Sequence, residues 1–374
     1  MANFLMSNDA DLAGSGYWTI CHNLCSRLVA RGHHPVVLGH EYNGQPHDFP
    51  FTIAPSSFQV MRSQVEFIKQ QMWPDALVFS WDVPAQRQIS EWFAHKGIAK
   101  YIGIFPIEAG PFKEIDEWVG YVRSMDHGFV ISEFGLRECQ EAGLDNVTFL
   151  PVGIDHEFFK PLSATDRADL RSELKLDGRF VVLTVADNHF RKNLSAGIQI
   201  MAEVLKELPN AYYLIIARPH PRSIGWSLKE LAIRYGIQEH ITIIHSRPSN
   251  DMLLRFYQAS DVLLAPSHAE GLGLPILEAQ ACNVPVVAGD WTAMTELLDD
   301  GKGVLVGPEY TFIDPFGNQR RHFISIKEAS EAILKLASDG DLRQRIQRRA
   351  LAFTQTRTYD AATEIFVRTL EKVL

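Results

Sequence analysis

Cysteine is scarce: four among 374 residues. Cys21, Cys25, Cys139 and Cys282 show neither CxxC spacing nor the density of a disulfide scaffold, so reduced thiols serving as small core residues are expected. No apolar run approaches the ~18 residues needed to cross a bilayer. The opening Met1-Ala2-Asn3-Phe4-Leu5-Met6 lacks a basic segment and an apolar stretch of signal-peptide length, and the chain reads as cytoplasmic. Positive charge is short as well. Residues 1–155 hold 10 Lys+Arg against 18 Asp+Glu, which places −8 of the formal net charge of −9 in that stretch. An acidic first half argues against nucleic acid as a partner, and charge gives membrane association no support. There is no tandem repeat and no low-complexity tract. Nor does any His/Asp cluster at ligand spacing argue for a metal, and no cofactor is expected.

What is present is an ordinary globular composition, 46% hydrophobic and 22% charged, over a length that exceeds one usual core. Two domains are therefore expected. A strand at 2–7, a polar loop from Ser7 to Tyr17 with Gly14-Ser15-Gly16, a helix at 18–31 and a strand at 35–39 make a βαβ opening, hence a parallel sheet. Strands at 75–80, 100–105 and 147–150 follow, with helices at 61–72 and 86–95 between. A second series of buried strands runs at 181–186, 211–217, 241–244, 261–266, 284–289 and 303–306. Residues 311–323 read as irregular. In doubly wound sheets ligands sit beyond the carboxyl ends of strands, where Asp82 and Glu108 stand.

The most informative stretch is Ser267-His268-Ala269-Glu270-Gly271-Leu272-Gly273-Leu274-Pro275-Ile276-Leu277-Glu278. It follows a strand and enters a helix expected to begin at Pro275, which lacks an amide proton and fits a first helical turn. Gly271 and Gly273 allow close backbone approach, and the N–H groups of the helix start suit a phosphate. Glu270 and Glu278 repel phosphate, so hydroxyls on either side are their partners, which describes a nucleotide sugar. The same spacing also fits glycines that only form a turn and a Glu278 that complements the helix dipole.

Glu270 and Glu278, with Gly271, Gly273 and Pro275 between them, resemble the Glu-x7-Glu signature of family 4 of the retaining glycosyltransferases, of GT-B fold. The resemblance implies two Rossmann-like parallel-sheet domains facing across a cleft: an acceptor domain, 1–158, completed by a helix at 356–374, and a donor domain, 159–355. It implies that Glu270 holds the donor hexose and Glu278 the ribose, and that Gly14, Ser15 and Gly16, with the amides of Gly271, Leu272, Gly273 and Leu274, approach the diphosphate. Arg247 and Pro248 then border the base. Lys192 matches a diphosphate lysine. The family's arginine just after the strand is replaced by Asp187-Asn188, with Arg191 as substitute. Glu108 resembles an acidic residue of a subset of members, and Phe105-Pro106 stands where many carry histidine. The implied partners are a nucleotide sugar, UDP- or GDP-hexose, and a glycan, lipid-linked or small-molecule acceptor, joined without a metal. The alternatives are an inert nucleotide-sugar-binding protein and an epimerase on the same fold.

Overall fold

The computed structural model of the chain describes residues 1–12, 14–57, 59–90, 100–219 and 225–374. They form two compact units, Met1–Gly153 with Arg357–Leu374, and Ile154–Thr356.

The first unit holds β1 (Asn3–Asp9), β2 (His34–His40), β3 (Thr52–Ser56), β4 (Ala76–Ser80), β5 (Lys100–Phe105), β6 (His127–Val130) and β7 (Val147–Phe149). They pair in the order β3-β2-β1-β4-β5-β6-β7, parallel throughout. Helices cover such sheets on both faces, which is why the five interior residues of β1 and all of β4 are buried. β1 runs two residues beyond the expected strand, because Ser7, Asn8 and Asp9 stay in register with β2 out to His40. Ser15 then caps the helix Gly16–Ala30, its side chain accepting the Trp18 N–H, so Gly16 is helical rather than part of the loop. β3 was not expected. Of the helix expected at 86–95, Val83–Ser90 is observed, while residues 91–95, Trp92 and His95 among them, lie outside the described residues.

The second unit holds β8 (Phe180–Val185), β9 (Ala211–Ile216), β10 (Ile241–Ile244), β11 (Val262–Ala265), β12 (Val286–Gly289) and β13 (Val304–Val306), in the parallel order β10-β9-β8-β11-β12-β13. The region read as irregular is instead an antiparallel hairpin, β14 (Pro308–Asp314) and β15 (Gln319–Ile324). Its alternation is hidden by Arg321, a charged residue pointing inward at 2% exposure on an ion pair with Asp314.

Each sheet reverses its winding once, between β1 and β4 and between β8 and β11. Beyond the carboxyl ends of such a strand pair the following loops diverge and leave a crevice. The sequence-selected residues fall largely after these strands.

Candidate functional site

In the second unit, the loops after β8 and β11 are joined by the His268 N–H, which donates to the Arg191 carbonyl at 2.8 Å. The 3-10 turn Phe190–Lys192 is capped by His189, whose Nδ1 accepts the Arg191 N–H, and it ends at Asn193 in the left-handed region, φ 50°. This turn directs two cations at one carboxylate. Arg191 Nη1 donates to Glu270 Oε2 at 2.9 Å and to the Ala269 carbonyl at 2.8 Å. Lys192 Nζ reaches Glu270 Oε1 at 2.6 Å, and Ser267 Oγ donates to the same oxygen at 2.7 Å.

Glu270 is 8% exposed. Burial pushes its carboxyl pKa up, but Lys192 and Arg191, with the hydrogen bonds from Lys192 and Ser267, overcome that and hold it at about 2. The group is an ionised triad. An ionised carboxylate has roughly four acceptor positions, so three bonds leave room for about one further donor. The Glu270 N–H, donating to Thr292 Oγ1 at 3.1 Å, fixes the backbone beneath it.

Gly271 and Leu272 then lead to Gly273, whose φ of +94° a side chain would strain. The helix Leu274–Ala281 starts one residue before the expected Pro275. In its first turn Pro275 has no N–H to offer and the Ile276 N–H donates to the Gly273 carbonyl at 2.9 Å. On that helix Glu278 accepts the Tyr257 hydroxyl at 2.7 Å. Burial raises the Glu278 carboxyl pKa, while the Tyr257 hydrogen bond and the charge of Arg247 oppose this. Arg247 and Pro248 follow β10 in the loop before the helix Asn250–Ala259, which Ser249 caps. Tyr257 and Glu278 therefore form a second polar pair, with the charge of Arg247 acting on Glu278.

Asp187, which stands just after β8, is held by Arg218, Nε to Oδ1 at 3.0 Å and Nη2 to Oδ2 at 3.2 Å. Arg218 and Pro219 follow β9, and residues 220–224 lie outside the described residues.

In the first unit, Gly14 has φ +98° and its N–H donates to the Asp11 carbonyl. Burial raises the Asp9 pKa, hydrogen bonds from Ser15 and Asp11 lower it, and the charges of Asp11 and Glu41 raise it. The loop containing Gly14, Ser15 and Gly16 thus stands among carboxylates. Asp82, two residues past β4, accepts the Tyr17 hydroxyl, and Trp81 packs edge-on against His40 with ring centroids 5.1 Å apart. Glu108 lies half-buried, three residues beyond β5.

Sequence reasoning overlooked Ser267, Tyr257, Thr292 and the hairpin. Ser267 alone left a signal, a hydroxyl three residues before Glu270. Among the described residues no group of three or more His, Cys, Asp or Glu is placed to hold a metal ion, and no helix is long and apolar enough to cross a membrane.

Two parallel Rossmann-like sheets with ligand-type crevices define a class, and comparison with known proteins narrows it. Residues 166–314 match the family model described as glycosyl transferases group 1, which bears out the resemblance over that stretch. The chain is 34% identical over 172 residues to a D-inositol 3-phosphate glycosyltransferase of Xylanimonas cellulosilytica, covering 44% of this chain and 40% of the relative. It is 29% identical over 233 residues to one of Saccharomonospora viridis, covering 60% and 51%. The chain thus spans about half or less of these relatives' length. Among solved structures, sucrose-phosphate synthase of Thermosynechococcus elongatus superposes with a TM-score of 0.80 at 15% identity over 100% of this chain and 99% of that one. Anabaena Alr3699/HepE in complex with UDP-glucose gives 0.77 at 16% over 100% of both. These likenesses show a shared fold, and both sheets of a GT-B chain are present.

Proposed function

We propose that this chain is a glycosyltransferase that moves a hexose from a nucleoside diphosphate sugar, a UDP- or GDP-hexose, to a hydroxyl group with retention of anomeric configuration. The observation that carries the reading is the ionised Glu270, held between Arg191 and Lys192 beside a glycine turn and a helix start.

In this reading the diphosphate enters against Arg191, Lys192 and the amides of residues 271–274. Their charge and dipoles stabilise the leaving group as the bond from the anomeric carbon to the phosphate oxygen breaks. Glu270 takes one sugar hydroxyl at its remaining acceptor position. Glu278, beside Arg247 and Pro248, takes the ribose. The new bond forms from the acceptor oxygen to the anomeric carbon, and the acceptor's proton passes to the departing phosphate oxygen on the same face. No enzyme nucleophile and no metal are required. Uridine is the base to try first, because the fold is shared with a structure holding UDP-glucose. Carboxylates around Ser15 and Asp82, with the ring of Trp81, support an uncharged polyhydroxy acceptor over a phosphorylated one, in contrast to the inositol phosphate in its relatives' names.

The test is nucleoside diphosphate release from UDP-, GDP- and ADP-hexoses in the presence of a chelator, with inositol, hexoses and their phosphates as acceptors. Release from one donor, reduced about 100-fold or more in Glu270→Ala and Lys192→Ala, is expected. Release from no donor, with one of them raising the melting temperature, is the result of an inert binding protein. A requirement for divalent metal, or a preference for phosphorylated acceptors, overturns the corresponding part.

A further inference from the structure

The hairpin β14–β15 meets the triad at His268, and its Phe312 also touches Phe190, with ring centroids 6.2 Å apart. His268 makes three hydrogen bonds beyond its own segment: its N–H to the Arg191 carbonyl at 2.8 Å, its carbonyl from the His322 N–H at 3.2 Å, and its Nδ1 to the His322 carbonyl at 2.9 Å. At 1% exposure its ring sits among Phe190, Phe312 and Phe323, with centroids 5.1, 5.1 and 5.4 Å away. Phe190 precedes Arg191 in the 3-10 turn, and Phe312 and Phe323 belong to the hairpin. His268 therefore touches both sides of the ion group: it lies two residues before Glu270 and is bonded to Arg191.

We propose that His268 is a positioning residue through which the hairpin sets the separation and direction of Arg191, Lys192 and Glu270. The inference rests on the transferase reading for its kinetic consequence, but its structural part stands without it. The acceptor at His268 Nδ1 is a carbonyl oxygen, so this nitrogen carries the proton. Burial holds the imidazole pKa down at about 4, the His322 carbonyl raises it, Arg321 lowers it, Asp314 raises it and Arg191 lowers it. The ring is therefore neutral and fixed in one tautomer near neutral pH. Wedged between aromatic rings it has one place to sit. Removing the Nδ1 donor takes away one of the two bonds that tie His268 to β15 and lets the 267–270 segment shift, and displacements on the scale of 1 Å between a cation and a developing charge cost about 100-fold in rate.

The experiment compares His268→Leu, which keeps the volume and loses the donor, with His268→Asn, whose side-chain amide places a donor where Nδ1 lies. For each, kcat and KM for the donor sugar are measured together with the affinity for UDP. Expected is a fall in kcat of about tenfold to a hundredfold in H268L and recovery to within about threefold of the unsubstituted protein in H268N. A drop in melting temperature with kcat unchanged, or equal losses in both variants, overturns the proposal. The ¹⁵N spectrum of the unsubstituted protein decides independently of folding in the variants and of any substrate. A slowly exchanging Nδ1–H tautomer supports it, and an Nε2–H tautomer overturns it. If the unsubstituted protein turns over no donor, the transferase reading fails, while the tautomer still decides the latch.

Discussion

An ionised carboxylate at 8% exposure persists only when its partners outweigh its lost hydration, and Glu270 shows how far that balance has been pushed. Its carboxyl pKa falls from an ordinary 4.5 to about 2. For a depressed carboxylate the sign is fixed: the contribution to stability is complete above pH ~4.5 and is lost as pH falls toward ~2. The shift corresponds to about 3 kcal/mol. Glu270→Gln should therefore lower stability by roughly that amount at neutral pH, with the difference from the unsubstituted protein constant down to about pH 4.5 and shrinking below it. Urea unfolding at several pH values measures this; a difference that grows on acidification contradicts the charge assignment. Glu270 and Lys192 were picked out by resemblance to a family signature, and Arg191 as a substitute for a displaced arginine; spacing alone reads a turn and a solvated pair of cations there. Tyr257 was not legible, because a tyrosine within an amphipathic helix reads as core until the fold brings Glu278 to its hydroxyl.

At the scale of elements, the buried parallel strands were the most legible features, because burial on both faces leaves continuous apolar runs such as Val262-Leu263-Leu264-Ala265. The hairpin was illegible for the opposite reason. The face that carries Tyr310, Phe312 and Phe323 also carries the charged Asp314 and Arg321, and the opposite face carries Ile313, so the period-two pattern is broken on both faces. The same inversion makes a prediction. Arg321 Nε lies 2.7 Å from Asp314 Oδ2, and removal of the carboxylate takes the countercharge from a guanidinium at 2% exposure. Asp314→Ala should cost about 3–5 kcal/mol, whereas Asp314→Leu combined with Arg321→Met should recover most of it. Chemical denaturation of the unsubstituted protein and of the single and double variants measures this. A double variant no better than the single shows that the pair supplies more than mutual neutralisation.

On the scale of the whole molecule, the chain leaves its first unit at Gly153 and returns to it at Arg357, so the last eighteen residues, 357–374, complete a core begun at residue 3. The return is held by packing. Phe366 is fully buried between Phe4 of β1 and Phe129 of β6, with centroids 5.9 and 5.0 Å away, and Leu370 is 1% exposed. The helix Tyr359–Val373 also lies along Gly16–Ala30, where Asp360 meets Arg27 and Arg31 at 3.4 and 3.5 Å on the surface. Exposed pairs of this kind contribute little, so the apolar contact dominates. Phe366→Ala should cost the first unit about 3–5 kcal/mol through lost transfer energy and a cavity beneath the sheet. Because the second unit has its own core, its strands should keep their protection. Hydrogen exchange read strand by strand tests this: faster exchange confined to β1, β4, β5 and β6 is expected, and equal acceleration in β8, β9 and β11 shows that the two units unfold as one.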